Sequence, residues 1–205
     1  PAGWISNKNR DHGDPNNQAN FTMQLVIPRE TQPGENRVSA TPETVKKLVR
    51  LGAEVVIEAG AGTGAGISDA DYEATGARIG SDRGALLAGA DMVLRLRKPD
   101  IEEISQLKSG CIHVSYLDPF NEQDLIKAFA SQNVTAVSME MIPRSTRSQK
   151  MDALSSQANL AGYVAVMLAA NHMPRIMPMM MTPAGTLKPA KVFIIGAGVA
   201  GLQAI

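Results

Sequence analysis

KVFIIGAGVAGLQAI, residues 191–205, is the stretch of this sequence that decides its fold. An apolar run, Val192 to Ile195, has the composition of a buried strand and leads directly into a glycine-rich turn. A helix-like segment begins at Leu202, just after the turn. A dinucleotide-binding βα unit opens with a strand, a glycine turn and a helix in this order. The sequence therefore predicts such a unit here.

The turn itself fits the pattern G-x-G-x-x-G, with Gly196, Gly198 and Gly201 at the glycine positions. The first glycine allows a tight turn, the second lets backbone N–H groups approach a pyrophosphate, and the third lets helix and strand pack closely. Val199 and Ala200 complete the turn and begin the helix, whose N-terminus favours negative charge. All five residues are predicted to bind the pyrophosphate of a dinucleotide, although the same pattern also occurs in ordinary glycine-rich βα turns.

The sequence ends at Ile205, soon after this turn begins its helix. In a dinucleotide-binding domain, the acidic residue that binds the adenosine ribose lies about 20 positions after the turn. One strand and a few helical residues cannot bury a core. We therefore expect a second domain that is truncated at the C-terminus, and a chain that is a fragment of a longer protein.

Upstream of this unit, strand-like and helix-like segments alternate. Thr41 is a good helix N-cap, with Pro42 at the first helical position, and Gly52 ends the apolar pattern of that helix. The predicted strands are 25–27, 54–57, 92–96, 111–117 and 134–138, and the predicted helices begin near residues 41, 68, 81, 100 and 121. This alternation is typical of a mostly parallel sheet with helices on both faces.

The predicted fold class is α/β, with two Rossmann-like parallel-sheet domains joined by a long helix. Residues 1–22 lack periodicity and form a disordered tail in this interpretation, with Met23 as the natural start. A first α/β domain spans 23–145, a linking helix and connector span 146–187, and the truncated second domain spans 188–205. The linking helix covers about 149–172 and could be broken near Asn159 to Gly162; its polar side chains argue against a membrane span.

Composition excludes several classes of function. The 20 Lys and Arg residues balance the 20 Asp and Glu residues, and aromatic residues make up only 4%. No basic run is present to neutralise phosphates, so no nucleic-acid partner is expected. The single cysteine, Cys111, lies in an apolar stretch and is predicted to be a buried strand residue rather than a nucleophile. No metal site is predicted.

A second motif with chemical potential is RSTRSQKMDALSS, which starts at Arg144. Asp152 and Ser155 are three positions apart and share one helix face, with Gln149 three positions before them. A carboxylate beside a hydroxyl and a guanidinium can bind an amide such as nicotinamide carboxamide, because Asp accepts from the NH2 while Arg or Ser donates to the oxygen. The alternative is a solvated helix cap with surface ion pairs, which chemistry alone favours.

A second glycine-rich stretch, GAGTGAG at residues 60–66, also follows a predicted strand. No apolar helix follows it directly, because Ser68 and Asp69 begin a new helix cap. We interpret it as a glycine loop rather than a phosphate site.

Four segments together resemble one known family: VIPRETQPGENRVSATPETVKKLVRLGAEVVIEAGAG, PRSTRSQKMDALSSQANLAGY, PMMMTPAGT and VFIIGAGVAGLQAI. The family is the soluble NAD(H)-binding component, or alpha subunit, of proton-translocating NAD(P) transhydrogenase, and the resemblance covers residues 23–205. It implies direct hydride transfer between NAD(H) on this component and NADP(H) on a partner component. It also implies a membrane component that couples transfer to proton translocation, a homodimer, and a cytoplasmic location at the inner face of the membrane through partner subunits.

The resemblance also implies roles for particular residues. Arg144, Asp152 and Ser155 match the residues that hold the nicotinamide carboxamide, and Gln149 matches the glutamine that faces the NADP(H) ribose of the partner. The glycines of the 196–201 turn match the pyrophosphate site. Arg144, Gln149 and Asp152 are thus the residues expected at the hydride-transfer centre.

Alanine dehydrogenase is the alternative, because it is similar in its opening motif and its two-domain plan. In that interpretation Arg37 and Lys98 would bind a substrate carboxylate, and a catalytic histidine would stand where this sequence has Asp118. An aspartate cannot serve as a cationic acid, and its charge repels a carboxylate. His113 lies an odd number of strand positions away and faces the other side. Arg37 and Lys98 are then structural remnants or hydrogen-bond the glycine loop of residues 60–66.

A third interpretation is of another class. The chain is then a folded first domain with an unfolded C-terminal tail, acting as a dimerisation or docking module without nucleotide binding.

Overall fold

The computed structural model of this chain describes residues 22–205, so the predicted disordered tail lies almost wholly outside the described residues. The regular elements within them form one parallel sheet with its helices, followed by a long helix, a hairpin and a short helix. In chain order they are β1 (Gln24–Ile27), α1 (Pro42–Arg50), β2 (Glu54–Glu58), α2 (Asp69–Glu73), β3 (Arg78–Gly80), α3 (Arg83–Gly89), β4 (Met92–Leu94), α4 (Ile101–Ile104), β5 (Ile112–Ser115), α5 (Gln123–Ser131), β6 (Thr135–Ser138), α6 (Ala153–His172), β7 (Met180–Thr182), β8 (Gly185–Leu187) and α7 (Val199–Ala204).

The six-stranded sheet confirms the predicted α/β class. Its strand order is β3-β2-β1-β4-β5-β6, and every neighbouring pair is parallel. The order reverses between β1 and β4, which is the point of an open parallel sheet where loops leave in opposite directions and a crevice opens at the carboxyl ends of the strands.

Two apolar cores lie on the two faces of this sheet, as the alternation of side chains along a strand requires. The face with Val26, Val56 and Val93 packs against α3, α4 and α5. The face with Leu25 and Ile57 packs against α1 and α2. The helices on both faces are therefore those that the sequence pattern predicts.

The caps of the first helices are also as predicted. The Thr41 hydroxyl accepts a hydrogen bond from the backbone N–H of Thr44, and Pro42 begins α1. Ser68 caps α2 in a reciprocal arrangement with Asp71, whose carboxylate accepts from the Ser68 backbone N–H. Cys111 is fully buried as expected, although it lies just before β5, and burial raises the pKa of its thiol to about 11.

Several predicted boundaries need correction. The helix expected over 100–108 is only the short α4, because Gly110 and the turn before it lead directly into β5. Strand β3 is not among the predicted strands, because its sequence, Arg-Ile-Gly, is too short to show a periodic pattern. The hairpin of β7 and β8 is not among them either, since its strands have no polar–apolar alternation.

The long linking helix is present, with two differences from the prediction. Residues Thr146–Met151 form a 3₁₀ segment, and α6 itself begins at Ala153. The helix is not broken near Asn159 to Gly162, because Gly162 is buried against another helix instead of ending this one. It ends at His172, before Pro174, as expected.

Within residues 22–205, α6 is the one helix that is long and apolar enough to cross a membrane by length and composition alone. Its most apolar window has a mean hydropathy of 1.2, and 6% of that window is buried. A single helix of this kind is weak evidence, because core helices of soluble proteins have the same composition. The expectation that this chain does not span a membrane therefore stays a prediction.

The segment from Val192 to Ile195, predicted to be a strand, is not paired with any strand among the described residues. A parallel strand is defined by its hydrogen bonds to a neighbouring strand. Without such a neighbour among the described residues, this apolar segment is not a strand. Helix α7 begins at Val199, three positions earlier than the apolar pattern indicated.

Candidate functional site

Each of the three glycines in the turn of residues 196–201 is explained by a different feature of the structure. Gly196 has φ 104°, in the left-handed region where a side chain is strained. A Cβ added to Gly201 would lie 2.0 Å from the carbonyl oxygen of Gly196, so only glycine permits the turn to close. A Cβ added to Gly198 would meet no atom within 4 Å, which leaves open space beside this residue. The first and third glycines thus shape the turn, and the second leaves room for a ligand.

Helix α6 packs closely against this turn and against α7. A Cβ added to Gly162 would lie 2.2 Å from the carbonyl oxygen of Ala200. The side-chain amide of Asn159 donates to Oε1 of Gln203 at 2.9 Å. These contacts hold the start of α7 beside the middle of α6, so the N-terminal turns of α6 lie next to the glycine turn.

The first turn of α6 carries the polar cluster that the sequence predicts. Asp152 caps the helix: its Oδ1 accepts from the backbone N–H of Ser155 at 2.9 Å, and its Oδ2 accepts from the Ser155 hydroxyl at 2.7 Å. These hydrogen bonds, backbone first, and more weakly the charge of Arg144 lower the pKa of the Asp152 carboxyl. Asp152 is therefore ionised at neutral pH.

The hydrogen bond between Ser155 and Asp152 limits which side chains of this cluster can donate to a ligand. The hydroxyl of Ser155 donates its only proton to Asp152, so it cannot also donate to an amide oxygen. Of the two donors predicted for a carboxamide oxygen, Arg144 and Ser155, the structure thus leaves the Arg144 guanidinium available. Each oxygen of Asp152 keeps a lone pair that can accept from an NH2 group.

One cleft of about 370 Å³ joins the two motifs. It brings together the predicted residues Arg144 and Ser155 with Gly196, Gly198, Val199, Ala200 and Gly201, and it is completed by Leu154, Ala158 and Ile195. Asp152 adjoins the cleft through its two hydrogen bonds to Ser155. Gln149 does not line it; this residue lies in the 3₁₀ segment before Asp152, with its side chain exposed.

Two residues that the sequence interpretation missed complete the contact between helix and turn. Ala158 lines the cleft, and Gly162 lies under Ala200 one turn further along α6. Their spacing of four puts both on one helix face. A glycine one turn after an alanine on the same helix face is the signal that could have revealed a close helix–turn contact.

The residues expected to bind a substrate carboxylate in an alanine dehydrogenase have carboxylate partners within this chain. Arg37 pairs with Glu35 at 2.6 Å, and Lys98 pairs with Glu122. Neither cation hydrogen-bonds the glycine loop of residues 60–66, so that expectation is wrong among the described residues. Asp118, at the expected histidine position, has φ 50° and accepts two hydrogen bonds from the Asn121 side-chain amide.

His113 is not placed to replace that histidine. It is 1% exposed, lies 5.0 Å from the ring of Phe129, and neither ring nitrogen has a hydrogen-bond partner among residues 22–205. Burial, reinforced by the charge of Arg95, lowers its pKa to about 3. His113 is therefore a neutral core residue and not a proton donor in a cleft.

The loop of residues 60–66 is a packing feature, as expected. A Cβ at Gly62 would lie 2.8 Å from the Tyr72 ring, and one at Gly64 would lie 2.9 Å from the backbone oxygen of Asn36. The part of the chain that the structure describes also contains no group of three or more His, Cys, Asp and Glu residues that could hold a metal ion.

Comparison with known proteins agrees with both motifs. The family model for "Alanine dehydrogenase/PNT, N-terminal domain" matches residues 26–161, and the model for its C-terminal domain matches residues 165–205. The chain belongs to the alanine dehydrogenase/transhydrogenase family. The boundary between the two models lies within α6, so the cleft is built from residues of both matched regions.

Relatives in this family distinguish its two branches. The chain is 46% identical to an alpha-subunit polypeptide of NAD(P) transhydrogenase from Rhodospirillum rubrum, over 89% of this chain and 49% of that relative. It is 32% identical to alanine dehydrogenase of Halomonas elongata, over 89% of this chain and 49% of that relative. The resemblance to the transhydrogenase alpha subunit, an oxidoreductase component, is thus confirmed, and alanine dehydrogenase is the more distant relative.

A solved structure supports the same conclusion. The fold superposes on transhydrogenase from Sinorhizobium meliloti with a TM-score of 0.85 and 50% sequence identity, covering 89% of this chain and 52% of the other. The chain therefore spans about half the length of the relatives it matches.

Proposed function

We propose that this chain is the NAD(H)-binding component of an NAD(P) transhydrogenase, which exchanges hydride with NADP(H) held on a partner component. The observation that carries the proposal is the single cleft in which Arg144 and Ser155 lie opposite the glycine turn of residues 196–201. An amide-binding cluster and a pyrophosphate-binding turn are the two features that a nicotinamide dinucleotide requires. Their meeting in one cleft favours NAD(H) as the ligand.

The turn fits a pyrophosphate by its own geometry. The open space beside Gly198 lies on the cleft side of the turn, where backbone atoms can approach a phosphate without a side chain between them. Arg144 faces the same cleft and forms no ion pair with a residue in 22–205. The Arg144 guanidinium is therefore available to donate to a ligand in the cleft.

Asp152, Ser155 and Arg144 have distinct roles in this proposal. Asp152 accepts a hydrogen bond from the carboxamide NH2, Ser155 fixes the Asp152 carboxylate, and Arg144 donates to the carboxamide oxygen. When bound, the nicotinamide supplies the hydride chemistry, and the protein supplies binding and orientation. No acid or base of this chain is needed, which agrees with the buried, neutral state of His113.

Gln149 takes a different role. Because its side chain is exposed and outside the cleft, it is available to a partner surface. We assign it to the ribose of NADP(H) on the partner, where it would hold the two nicotinamide rings at the distance of about 3–3.5 Å that direct transfer requires.

Gln149→Asn tests this in the native protein: hydride exchange should fall on the order of 100-fold with little change in NADH affinity. A collapse of NADH affinity without a change in exchange per bound NADH would show that the role is wrong.

The other partners follow from the same assignment. The partner components are the NADP(H)-binding and membrane components of a transhydrogenase, which couple transfer to proton translocation and hold this chain at the cytoplasmic face of the membrane. The chain forms a homodimer in this proposal. Its hairpin supports the homodimer, because Met181 is 83% exposed and every residue of β7 and β8 is exposed, and an isolated two-stranded hairpin is only marginally stable in water.

Met181→Asp tests the homodimer. A charge in this exposed apolar hairpin should shift the protein from dimer to monomer in analytical ultracentrifugation. Glu102→Asp, which keeps an exposed charge on α4, is the control and should leave the mass unchanged. A dimer that survives Met181→Asp would place the contact elsewhere.

The two alternative functions have less support. Alanine dehydrogenase chemistry would need Arg37 and Lys98 free for a carboxylate, but Glu35 and Glu122 pair with them, and Asp118 stands at the histidine position. A docking module without nucleotide binding would leave the fit between the α6 cluster and the glycine turn unexplained.

NADH titration separates the three functions. Asp152→Asn should raise the dissociation constant of NADH about tenfold, since it removes a charged acceptor. Asp124→Asn is the matched control, because Asp124 pairs with the exposed Lys127 on α5, and it should bind NADH normally. If the native protein does not bind NADH, the docking module is the correct function. If it oxidises NADH with a keto acid and ammonia, it is an alanine dehydrogenase.

A further inference from the structure

Arg37 makes the one side-chain contact that joins the loop after β1 to helix α6 among the hydrogen bonds of the described residues. Its Nε and Nη2 donate to the two carboxylate oxygens of Glu35 at 2.7 and 2.6 Å, and its Nη1 donates to Oε1 of Gln157 at 2.7 Å. The last bond links residues 120 positions apart in sequence. The guanidinium of Arg37 therefore bridges two residues: Glu35 in the loop after β1 and Gln157 on α6.

Glu35 is well suited to fix this guanidinium. Its side chain is 5% exposed and accepts from both Arg37 and Arg97, the latter at 2.8 Å. The hydrogen bond from Arg37 is the largest cause that lowers the pKa of Glu35 to about 2. Glu35 is thus ionised throughout the neutral range, and two parallel bonds to one carboxylate hold the guanidinium plane in a single orientation.

Gln157 does not line the nucleotide cleft. An α-helix turns about 100° per residue, so Gln157 is about 200° around the helix from Ser155. Ala158 and Gly162 lie within about 60° of Ser155 by the same count, and they are the residues that meet the cleft and the turn. The helix is therefore held from two sides, by Arg37 on one and by the glycine turn on the other.

We propose that Arg37 is a positioning residue for hydride transfer: through Gln157 it fixes the rotation of α6, and with it the Asp152–Ser155 cap that faces the glycine turn. This inference rests on the proposed function. Arg37 does not line the cleft, and the partners of its guanidinium are Glu35 and Gln157, so it is linked to the site through α6. A rotation of α6 would move the Asp152 cap relative to the glycine turn.

The kinetic test uses the native protein assembled with its NADP(H)-binding component. Arg37→Ala and Gln157→Leu should each lower kcat for hydride exchange about fivefold, because misplacing the reacting groups is costly. The KM for NADH should rise by no more than about twofold, less than the effect of Asp152→Asn, since the Asp152 carboxylate is displaced and not removed and the glycine turn still binds the pyrophosphate. The double variant should be no slower than Arg37→Ala alone. Gln157→Glu, which keeps an acceptor for Arg37, should stay within about twofold of the parent.

Arg78→Ala is the matched control. Arg78 pairs with Glu54 at 2.7 Å on the surface of the sheet and has no contact with α6 among the described hydrogen bonds and ion pairs, so exchange should be unchanged. A parent-like kcat for Gln157→Leu, or effects that multiply in the double variant, would overturn the proposal. A loss of kcat in Gln157→Glu equal to that in Gln157→Leu would also overturn it.

A second measurement does not depend on activity. Amide hydrogen exchange over residues 153–160 should be several-fold faster in Arg37→Ala and Gln157→Leu than in the parent, and unchanged in Arg78→Ala. If protection in this segment is the same in Gln157→Leu as in the parent, Arg37 does not position α6. If the parent shows no hydride exchange at all while this protection does depend on Arg37, the proposed function fails and the contact between Arg37 and α6 stands.

Discussion

The first α/β domain and the C-terminal region use apolar side chains in opposite ways. In the domain, the strands and helices bury theirs in two cores, so that Val26, Ile57 and Phe129 are at most 1% exposed. From α6 onward, residues of equal hydrophobicity are exposed, among them Leu168 at 55% and Phe193 at 89%. The only residue of α6 that is fully buried is the glycine at its contact with α7.

The two regions therefore differ in how completely they bury their own apolar side chains. The first domain buries two apolar cores of its own. The C-terminal region concentrates its few close contacts on one feature, the junction of α6 with the glycine turn, and presents the rest of its apolar surface outward. The chain spans about half the length of the relatives it matches, so this apolar surface is described for only part of the family's C-terminal domain. The candidate site thus lies where a region with two apolar cores meets a region whose apolar side chains are exposed.

The largest expected effect concerns that junction. Gly201→Val adds a side chain where a Cβ would lie 2.0 Å from the Gly196 oxygen, so the turn must open. NADH affinity should fall on the order of 100-fold, equivalent to losing about two charge-assisted hydrogen bonds. Isothermal titration of the native protein measures this. Thermal unfolding of the first domain should not change, and a lowered melting temperature for that domain would break the distinction between the two regions.

A leucine pair tests the contrast in burial. Leu125 on α5 is 3% exposed and Leu168 on α6 is 55% exposed. In the 205-residue chain, Leu125→Ala should lower the free energy of unfolding by about 3 kcal/mol, as core truncations do. Leu168→Ala should change it by less than about 0.5 kcal/mol. Urea unfolding at neutral pH gives both values. Equal losses would mean that α6 is covered in solution.

Acid should act on the first domain through Glu35. Hydrogen bonds, chiefly from Arg37, lower its pKa from 4.5 to about 2 in the folded chain. A carboxyl with a depressed pKa binds fewer protons when folded, so its contribution is complete above the unfolded pKa and is lost as the pH falls toward about 2. We expect a loss of about 2 kcal/mol between pH 5 and pH 2, less than the full shift because Arg37 and Arg97 are half exposed.

Urea unfolding of the parent and of Glu35→Gln at several pH values checks this. The variant should be less stable than the parent at pH 6, and the difference should shrink as the pH is lowered. Glu43→Gln is the control, because the Glu43–Lys47 pair is exposed and should contribute little at any pH. A difference between parent and Glu35→Gln that is constant with pH would contradict the assignment of Glu35.

The smallest expected effect concerns the contact between α6 and α7, where the two regions meet. Gly162→Ala places a Cβ 2.2 Å from the Ala200 oxygen, so α7 must shift away from α6. NADH affinity should fall about tenfold, or about 1.4 kcal/mol, while the first domain unfolds as before. Ala165→Gly, one turn along on an exposed part of the same helix, controls for helix propensity. Unchanged NADH binding in Gly162→Ala would show that the close approach of the two helices is not needed.

The sequence predicts the first domain well because its signals are local. Caps such as Thr41 and Ser68 act within one turn, and buried apolar strands such as β1 and β2 show directly in composition. Strand β3 and the β7–β8 hairpin escape prediction because three residues carry no measurable period.

The candidate site could be predicted in part for the same reason. The glycine pattern and the Asp152–Ser155 spacing are local, and the structure brings both to one cleft. The contact of Arg37 with Gln157 joins residues far apart in sequence, and no local pattern encodes it. The donor role that we propose for Arg144 also rests on the hydrogen bond from Ser155 to Asp152, which forms only in the folded cap.

The most direct test of the central claim is isotope transfer. The native protein, assembled with its NADP(H)-binding component, is given NADH deuterated at the transferring position of the nicotinamide, together with NADP+. If the cleft of Arg144, Asp152, Ser155 and the glycine turn holds NADH for direct transfer, the label appears in NADPH and none appears in water. Asp152→Asn should slow this transfer. Label lost to water, or no labelled NADPH from the parent, would contradict direct transfer from this cleft.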